Sequence, residues 1–109
     1  MTRFKADEAA QKVFATTRKL SEVRSEDFDA VFYPGGQGPM WDLVDNPESI
    51  KLIESFYNSG KPVAAVCHAP AVLHRVNYKG APIVKGKRVT GFANGEERRC
   101  VDEGRAFPR

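Results

Sequence analysis

Cys67 and His68 offer the most chemistry in this chain, and they stand where the apolar run Pro62-Val63-Ala64-Ala65-Val66 gives way to a helical pattern. A buried parallel strand delivers a nucleophile at its carboxyl end in this way. The first-turn N–H groups of the helix that follows carry partial positive charge, which favours thiolate over thiol, and a sharp turn would hold the sulfur clear of the sheet. His68 can act as general acid or base if the turn brings its ring round to the sulfur. The plain alternative is that Cys67 is a small buried apolar residue.

The second group is Pro34-Gly35-Gly36-Gln37-Gly38-Pro39, closing the run Asp29-Ala30-Val31-Phe32-Tyr33. In a parallel sheet, strand ends open on one edge, the usual site of a ligand crevice, so this glycine turn and Cys67 should be neighbours. Bare backbone there can aim N–H groups at a developing oxyanion, and Gly36 N–H with the N–H following Cys67 is the candidate pair. Taken alone, Gly-Gly-x-Gly is an ordinary turn. A phosphate cradle would need a Lys-Ser/Thr ending or a later acidic residue that the pattern lacks. Asp42 could anchor the turn or assist proton transfer, against the simpler reading of a helix-start carboxylate; Met40 and Trp41 could wall a pocket. His68 and His74 are six apart, off a common helix face, and neither cysteine has zinc spacing, so no metal or cofactor is called for.

These residues need elements to position them. Ala6, Ala9, Ala10, Val13 and Phe14 recur at helical spacing between Phe4 and Thr17, an amphipathic helix packed on its own domain or, alternatively, against a partner. Leu20 to Asp29 is a polar connection, and Met40 to Val44 a short helical turn or loop. Asn46-Pro47 reads as an N-cap followed by proline at the first helical position, with Ile50, Ile53 and Tyr57 as the apolar stripe flanked by Leu52 and Phe56, and Gly60 as the stop. Val63 to Val66 is the next strand, followed by a helix from about His68 to Val76 with Ala69, Val72, Leu73 and Val76 inward; Pro70 fits its first turn. This βαβα order predicts two parallel strands with helices on the faces. Short strand-like runs between Lys79 and Thr90, separated by glycine and lysine, predict a hairpin. No period survives beyond Gly91.

The 109 residues make one small domain, with 41% hydrophobic and 28% charged residues. The formal charge of +3 is unevenly placed: residues 1–78 hold nine Lys/Arg and ten Asp/Glu, and residues 79–109 hold eight and four. The basic end mixes in Glu96, Glu97, Asp102 and Glu103 with little aromatic interleaving, which describes a solvated tail and argues against nucleic acid. No apolar run approaches the ~20 residues of a membrane helix and no signal-peptide core is present, so the expectation is a cytoplasmic protein without membrane contact. Cys67 and Cys100 could pair in principle, but two cysteines are too few for a secreted disulfide scaffold, and Cys100 has no claim to chemistry.

Together, Phe32-Tyr33-Pro34-Gly35-Gly36-Gln37-Gly38-Pro39-Met40-Trp41-Asp42-Leu43 and Ala65-Val66-Cys67-His68-Ala69-Pro70 closely resemble the DJ-1/PfpI superfamily, over about Phe4 to Glu97. Within it they are similar to the branch of Hsp31 chaperones and glutathione-independent glyoxalases, related to class I glutamine amidotransferases. The resemblance implies a flavodoxin-like α/β sandwich with a parallel sheet, incomplete at its N- and C-terminal sides. It implies Cys67 as nucleophile with His68 as partner; Gly35, Gly36, Gln37, Gly38 and Asp42 are the expected oxyanion or substrate-binding positions. The implied reaction converts methylglyoxal to D-lactate; chaperone, deglycase or peptidase activity and homodimers also occur among such proteins. Family members are longer and carry, on earlier strands, a glutamate to the sulfur that no residue here matches; position 37 is usually histidine. After Glu97 the tail leaves the family pattern, as a truncated or frame-shifted reading would. The expected organisation is a partial domain over 1–97 and an irregular basic tail over 98–109. The expected function is a glyoxalase, with a non-enzymatic holdase, an interaction module or an inactive fragment as alternatives.

Overall fold

The computed structural model describes residues 2–102. Its best-marked element is α4, Pro47–Asn58, and each end has a local cause. The Asn46 side chain accepts hydrogen bonds from the N–H groups of Glu48 and Ser49, and Pro47 occupies the first helical position. At the other end Gly60 has φ +72°, the Gly60 N–H donates to Tyr57 O and the Lys61 N–H to Phe56 O, which is the Schellman arrangement. Ser49, Leu52, Ile53 and Phe56 form its buried face, so the stripe is rotated from the expected Ile50–Ile53–Tyr57 line, leaving Ile50 and Tyr57 half-buried. The rotation gives a polar group a partner: the Ser49 hydroxyl meets Tyr33 Oη at 2.7 Å inside the core.

Strands β1 (Val31–Tyr33) and β2 (Val63–Ala65) pair in parallel, with Val31 opposite Val63 and Tyr33 opposite Ala65. The pairing continues through Val31 N–H to Pro62 O and Val66 N–H to Tyr33 O. The chain is therefore α/β, as the βαβ order requires, with α4 as the crossover. Tyr33, Ile53, Ala69, Val72, Val76 and Ile83 make one buried cluster, against which Val31, Val63 and Ala65 pack. The opposite face differs from a strand buried on both sides: Phe32 is 61% exposed, and Ala64 and Val66 are exposed too.

Several elements depart from the pattern reading. The expected amino-terminal helix is two, α1 (Thr2–Ala6) and α2 (Glu8–Ala15), because the Asp7 carboxylate turns to cap α2 by accepting from the Ala10 N–H. Neither has a buried residue among those described: Phe4 and Phe14 meet edge-on at 6.0 Å, while Val13 and Phe14 are largely exposed. A short helix, α3, spans Gly38–Asp42. After Cys67 the chain forms a 3₁₀ turn over Ala69–Leu73 in place of an α-helix. Pro70 has no N–H, and Ala71, His74 and Val76 donate three residues back, to His68, Ala71 and Leu73. Ala69, Val72 and Val76 still point inward.

The hairpin lies one turn earlier than its glycine spacing suggested. β3 (Asn77–Tyr78) and β4 (Ala81–Pro82) pair antiparallel around Lys79 and Gly80, both at positive φ as a two-residue type I′ loop requires. The tail differs more. Helix α5 spans Asn94–Asp102 and crosses the expected boundary at residue 97, so 98–102 are helical backbone; the remainder of the expected irregular tail, 103–109, and the side chain of Cys100 lie outside the described residues. The Glu96 carboxylate reaches back to accept from the Ala93 N–H at 2.7 Å, half of a capping box that lacks its Ser or Thr. No helix among the described residues is long and apolar enough to cross a membrane.

Tyr33 carries a consequence for stability. Burial raises its hydroxyl above the ordinary tyrosine range of about 10, opposed in part by the bond to Ser49. An unfolded chain releases that proton at lower pH than the folded one, so the stability Tyr33 contributes is complete below pH ~10 and declines as pH rises toward the folded value. Denaturant unfolding between pH 8 and 11 should show this alkaline loss in the wild-type chain and a flatter profile in Tyr33→Phe.

Candidate active site

The site is built where β2 ends. Cys67 has φ +64°, a left-handed conformation that a side-chain-bearing residue adopts only when its surroundings impose it, at a cost of about 1–3 kcal/mol. Its surroundings do so: the Val66 N–H is tied to Tyr33 O, the Ala69 N–H folds back to Val66 O, and the Phe92 N–H holds Cys67 O at 2.9 Å. The bend leaves the Cys67 side chain half-buried and free as a thiol, clear of the aliphatic cluster. The Ala69 N–H is already spent on Val66, and the 3₁₀ turn has five residues, so the full helix dipole expected beneath the sulfur is not available.

The neighbour of the sulfur is His68. Its Nδ1 lies 3.4 Å from Cys67 Sγ, and its Nε2 lies 2.8 Å from Glu97 Oε2. A carboxylate only accepts, so Nε2 carries a hydrogen, and in the neutral imidazole the lone pair is then on Nδ1, facing the sulfur. The imidazole is packed as well as bonded: its side chain is 9% exposed and Phe92 lies against it, ring centroids 4.1 Å apart and tilted by 31°. The segment through Phe92 thus fixes two things at once, the Cys67 carbonyl by its N–H and the His68 ring by its side chain, before entering α5. Glu97, in the first turn of α5, also accepts from Gln37 Nε2 through Oε1 at 2.9 Å.

The glycine turn stands where the parallel topology places it, but its members differ in use. Gly35 is in contact: a Cβ added there would come within 2.8 Å of Cys67 Cβ and 3.5 Å of the sulfur. Gly36 has φ +94° and open space around it, and Gly38 opens α3. Among the described residues neither the Gly36 nor the His68 N–H enters a backbone hydrogen bond. Gln37, Met40, His68, Phe92, Asn94 and Glu97 line a cleft of about 270 Å³. Asp42 is exposed at the end of α3, not at a helix start, and has no side-chain hydrogen bond among the described residues. Met40 walls the cleft, whereas Trp41 is 77% exposed. Gly35→Ala should drive Cys67 off its position, because the clash is with a Cβ that cannot swing away; the expected loss is about 1–3 kcal/mol in denaturant unfolding, together with slower alkylation of Cys67.

Glu97 is the site residue that the motifs did not disclose. It is 29 residues from His68, in a stretch without apolar period, and it backs the imidazole, whereas the glutamate implied by the resemblance faces the sulfur. The available signal was Glu96 three residues after Ala93, a helix start that places the next residue on the first turn.

A second cleft, about 530 Å³, opens at the other end of β2, between Tyr57, Lys61, Tyr78 and Lys87. Its lysines are already engaged: Lys87 donates to Tyr57 Oη and Ile83 O, and Lys61 to the carbonyls of Ser25 and Phe28. Neither a cysteine nor a histidine lines it.

A parallel strand pair, a left-handed cysteine at its end and a glycine turn alongside define the class, and the chain matches the DJ-1/PfpI family over residues 5–106. It belongs to that family. It is 35% identical over 79 residues to glyoxalase 3 of Candida albicans, covering 71% of this chain and 34% of that protein. It is 32% identical over 90 residues to the glutathione-independent glyoxalase HSP31 of Saccharomyces cerevisiae, covering 81% of this chain and 38% of that one. The solved structure of the Rapid Encystment Protein 24 KDa of Francisella tularensis superposes with a TM-score of 0.81 at 31% identity, over 93% of this chain and 46% of that one. The chain thus spans less than half the length of these relatives, and its α/β architecture corresponds to part of their flavodoxin-like fold.

Proposed function

We propose that the chain carries the thiol chemistry of a glutathione-independent glyoxalase, converting methylglyoxal to D-lactate. The observation that carries this reading is the ordered series Cys67 Sγ, His68 and Glu97, joined at 3.4 and 2.8 Å and starting from a strained bend at a strand end. The names of the Candida and Saccharomyces relatives support the reaction class. A cleft of about 270 Å³ opens on the imidazole and carboxylate of this series, lined by His68 and Glu97 and not by Cys67 itself.

The steps follow from the side chains. His68 Nδ1 takes the proton of the Cys67 thiol; the thiolate so formed adds to the aldehyde carbon as the carbonyl π bond opens, and the new alkoxide takes that proton back from the imidazolium, giving a hemithioacetal. Neutral His68 then removes the hydrogen on that carbon; the electron pair moves into the carbon–carbon bond and the neighbouring carbonyl becomes an enediol oxygen. The hydroxyl proton passes from the first oxygen to the second, and His68 returns its proton to the second carbon on one face, so that the first carbon becomes the carbonyl of a lactoyl thioester on Cys67. Water attacks the thioester carbonyl, the carbon–sulfur bond breaks, and D-lactate leaves with the thiol restored. The substrate is oxidised at one carbon and reduced at the next, so no external oxidant or reductant is needed. Glu97 holds the imidazole in one tautomer and balances its positive charge when protonated. Gly35 gives the sulfur room, and the N–H groups of Gly36 and His68 are the donors proposed for the oxyanion.

A second reading rests on Phe32, Val66 and Val89, which are 61%, 49% and 62% exposed beside an open strand pair: an apolar face of this kind can hold unfolded chains without chemistry. The test of the first reading is D-lactate formation from methylglyoxal by the chain after cooperative unfolding has been demonstrated. A folded chain that forms none refutes it.

A further inference from the structure

We propose that Gln37 is the positioning residue for Glu97: it holds the carboxylate so that one oxygen stays on His68. This deepens the glyoxalase reading and rests on it. Glu97 has its side chain 38% exposed on the first turn of a helix, where a carboxylate tied by one bond remains free to rotate. The structure gives it two ties that divide its oxygens: Oε2 on His68 Nε2 at 2.8 Å and Oε1 on Gln37 Nε2 at 2.9 Å. With both oxygens engaged, the plane of the carboxylate is set, and through it the plane of the imidazole whose other nitrogen meets the sulfur.

The tie spans the two motifs. Gln37 follows Gly36, whose φ of +94° only glycine adopts freely, and precedes α3, so the glycine turn also aims this amide across to α5. Glutamine suits the task because an amide donates at any pH, whereas a carboxylic acid or imidazole in the same place would change its donors as it titrates. One N–H of this amide is engaged by Glu97, and Gln37 also lines the cleft, so kinetics must separate positioning from contact with substrate.

A double-mutant cycle read by D-lactate kinetics tests the assignment, with wild type, Gln37→Ala, Gln37→His, Glu97→Ala and the Gln37→Ala/Glu97→Ala pair. Gln37→Ala should lower kcat about 10-fold and leave KM within about twofold. Gln37→His, which can donate from a ring nitrogen, should restore most of the rate. In the Glu97→Ala background, Gln37→Ala should cost nothing more, since its target is gone. A rise in KM at unchanged kcat, or a full additional loss in the double variant, overturns the proposal in favour of substrate contact. A readout independent of turnover keeps the two proposals apart: the His68 Nε2–H resonance should be protected from solvent exchange in wild type, broadened in Gln37→Ala and recovered in Gln37→His. If the folded chain makes no D-lactate, the glyoxalase reading fails and this resonance decides; unaltered protection in Gln37→Ala overturns the role of Gln37.

Discussion

Cys67→Ser should reduce D-lactate formation from methylglyoxal by roughly 10³-fold or more, to the background of the uncatalysed reaction. Every covalent step of the proposed route passes through that sulfur, and an alcohol at the same place is a far weaker nucleophile with a poorer leaving group. The change is otherwise small: Ser keeps the Cβ that contacts the Gly35 turn, and the strained bend is held by backbone ties from Tyr33, Val66 and Phe92 that do not involve the side chain. Unfolding by denaturant should therefore stay close to wild type, which separates lost chemistry from lost structure. The same variant tests the second reading. If the exposed face around Phe32 and Val66 binds unfolded chains, suppression of a client's aggregation should survive in Cys67→Ser. Residual D-lactate at wild-type rates would remove Cys67 from the mechanism.

What the sequence made legible, and what it did not, divides along physical lines. Helix α4 was legible because its signals are local: Asn46 and Pro47 cap one end, Gly60 the other, and the apolar spacing lies between. The parallel pairing of β1 and β2 followed from element order, and the bend at Cys67 from an apolar run meeting a helical one. The face of α4 was less legible, since Ser49 is buried only because Tyr33 stands opposite to receive it. The 3₁₀ turn depended on which carbonyls Ala71, His74 and Val76 would choose, a matter of one residue in spacing that periodicity does not resolve. The helix carrying Glu97 was hidden for a different reason. Its composition is polar, and it is held to the site by three contacts of distant residues: Phe92 N–H to Cys67 O, the Phe92 ring on His68, and the Glu97 carboxylate between His68 and Gln37.

Glu97→Ala should lower kcat by about 10²-fold or more, within the range that removal of general acid–base assistance covers. The effect is large because the carboxylate does three jobs through one bond of 2.8 Å: it fixes the hydrogen on Nε2, it holds the ring with Nδ1 toward the sulfur, and it stabilises the imidazolium that forms when His68 takes a proton. Without it, Phe92 and burial still keep the ring in its pocket, but neither its plane nor its tautomer is fixed. The rate loss should thus exceed any change in KM, and the fold should hold, since a partly exposed carboxylate on the first turn of α5 contributes little to the core. Glu97→Gln discriminates further. An amide can still accept from Nε2–H through its oxygen, so the tautomer is partly kept, but its charge is gone; it should retain more activity than Glu97→Ala and less than wild type. Equal rates for the two variants would assign the carboxylate to charge alone, and wild-type rates for both would place Glu97 outside the reaction.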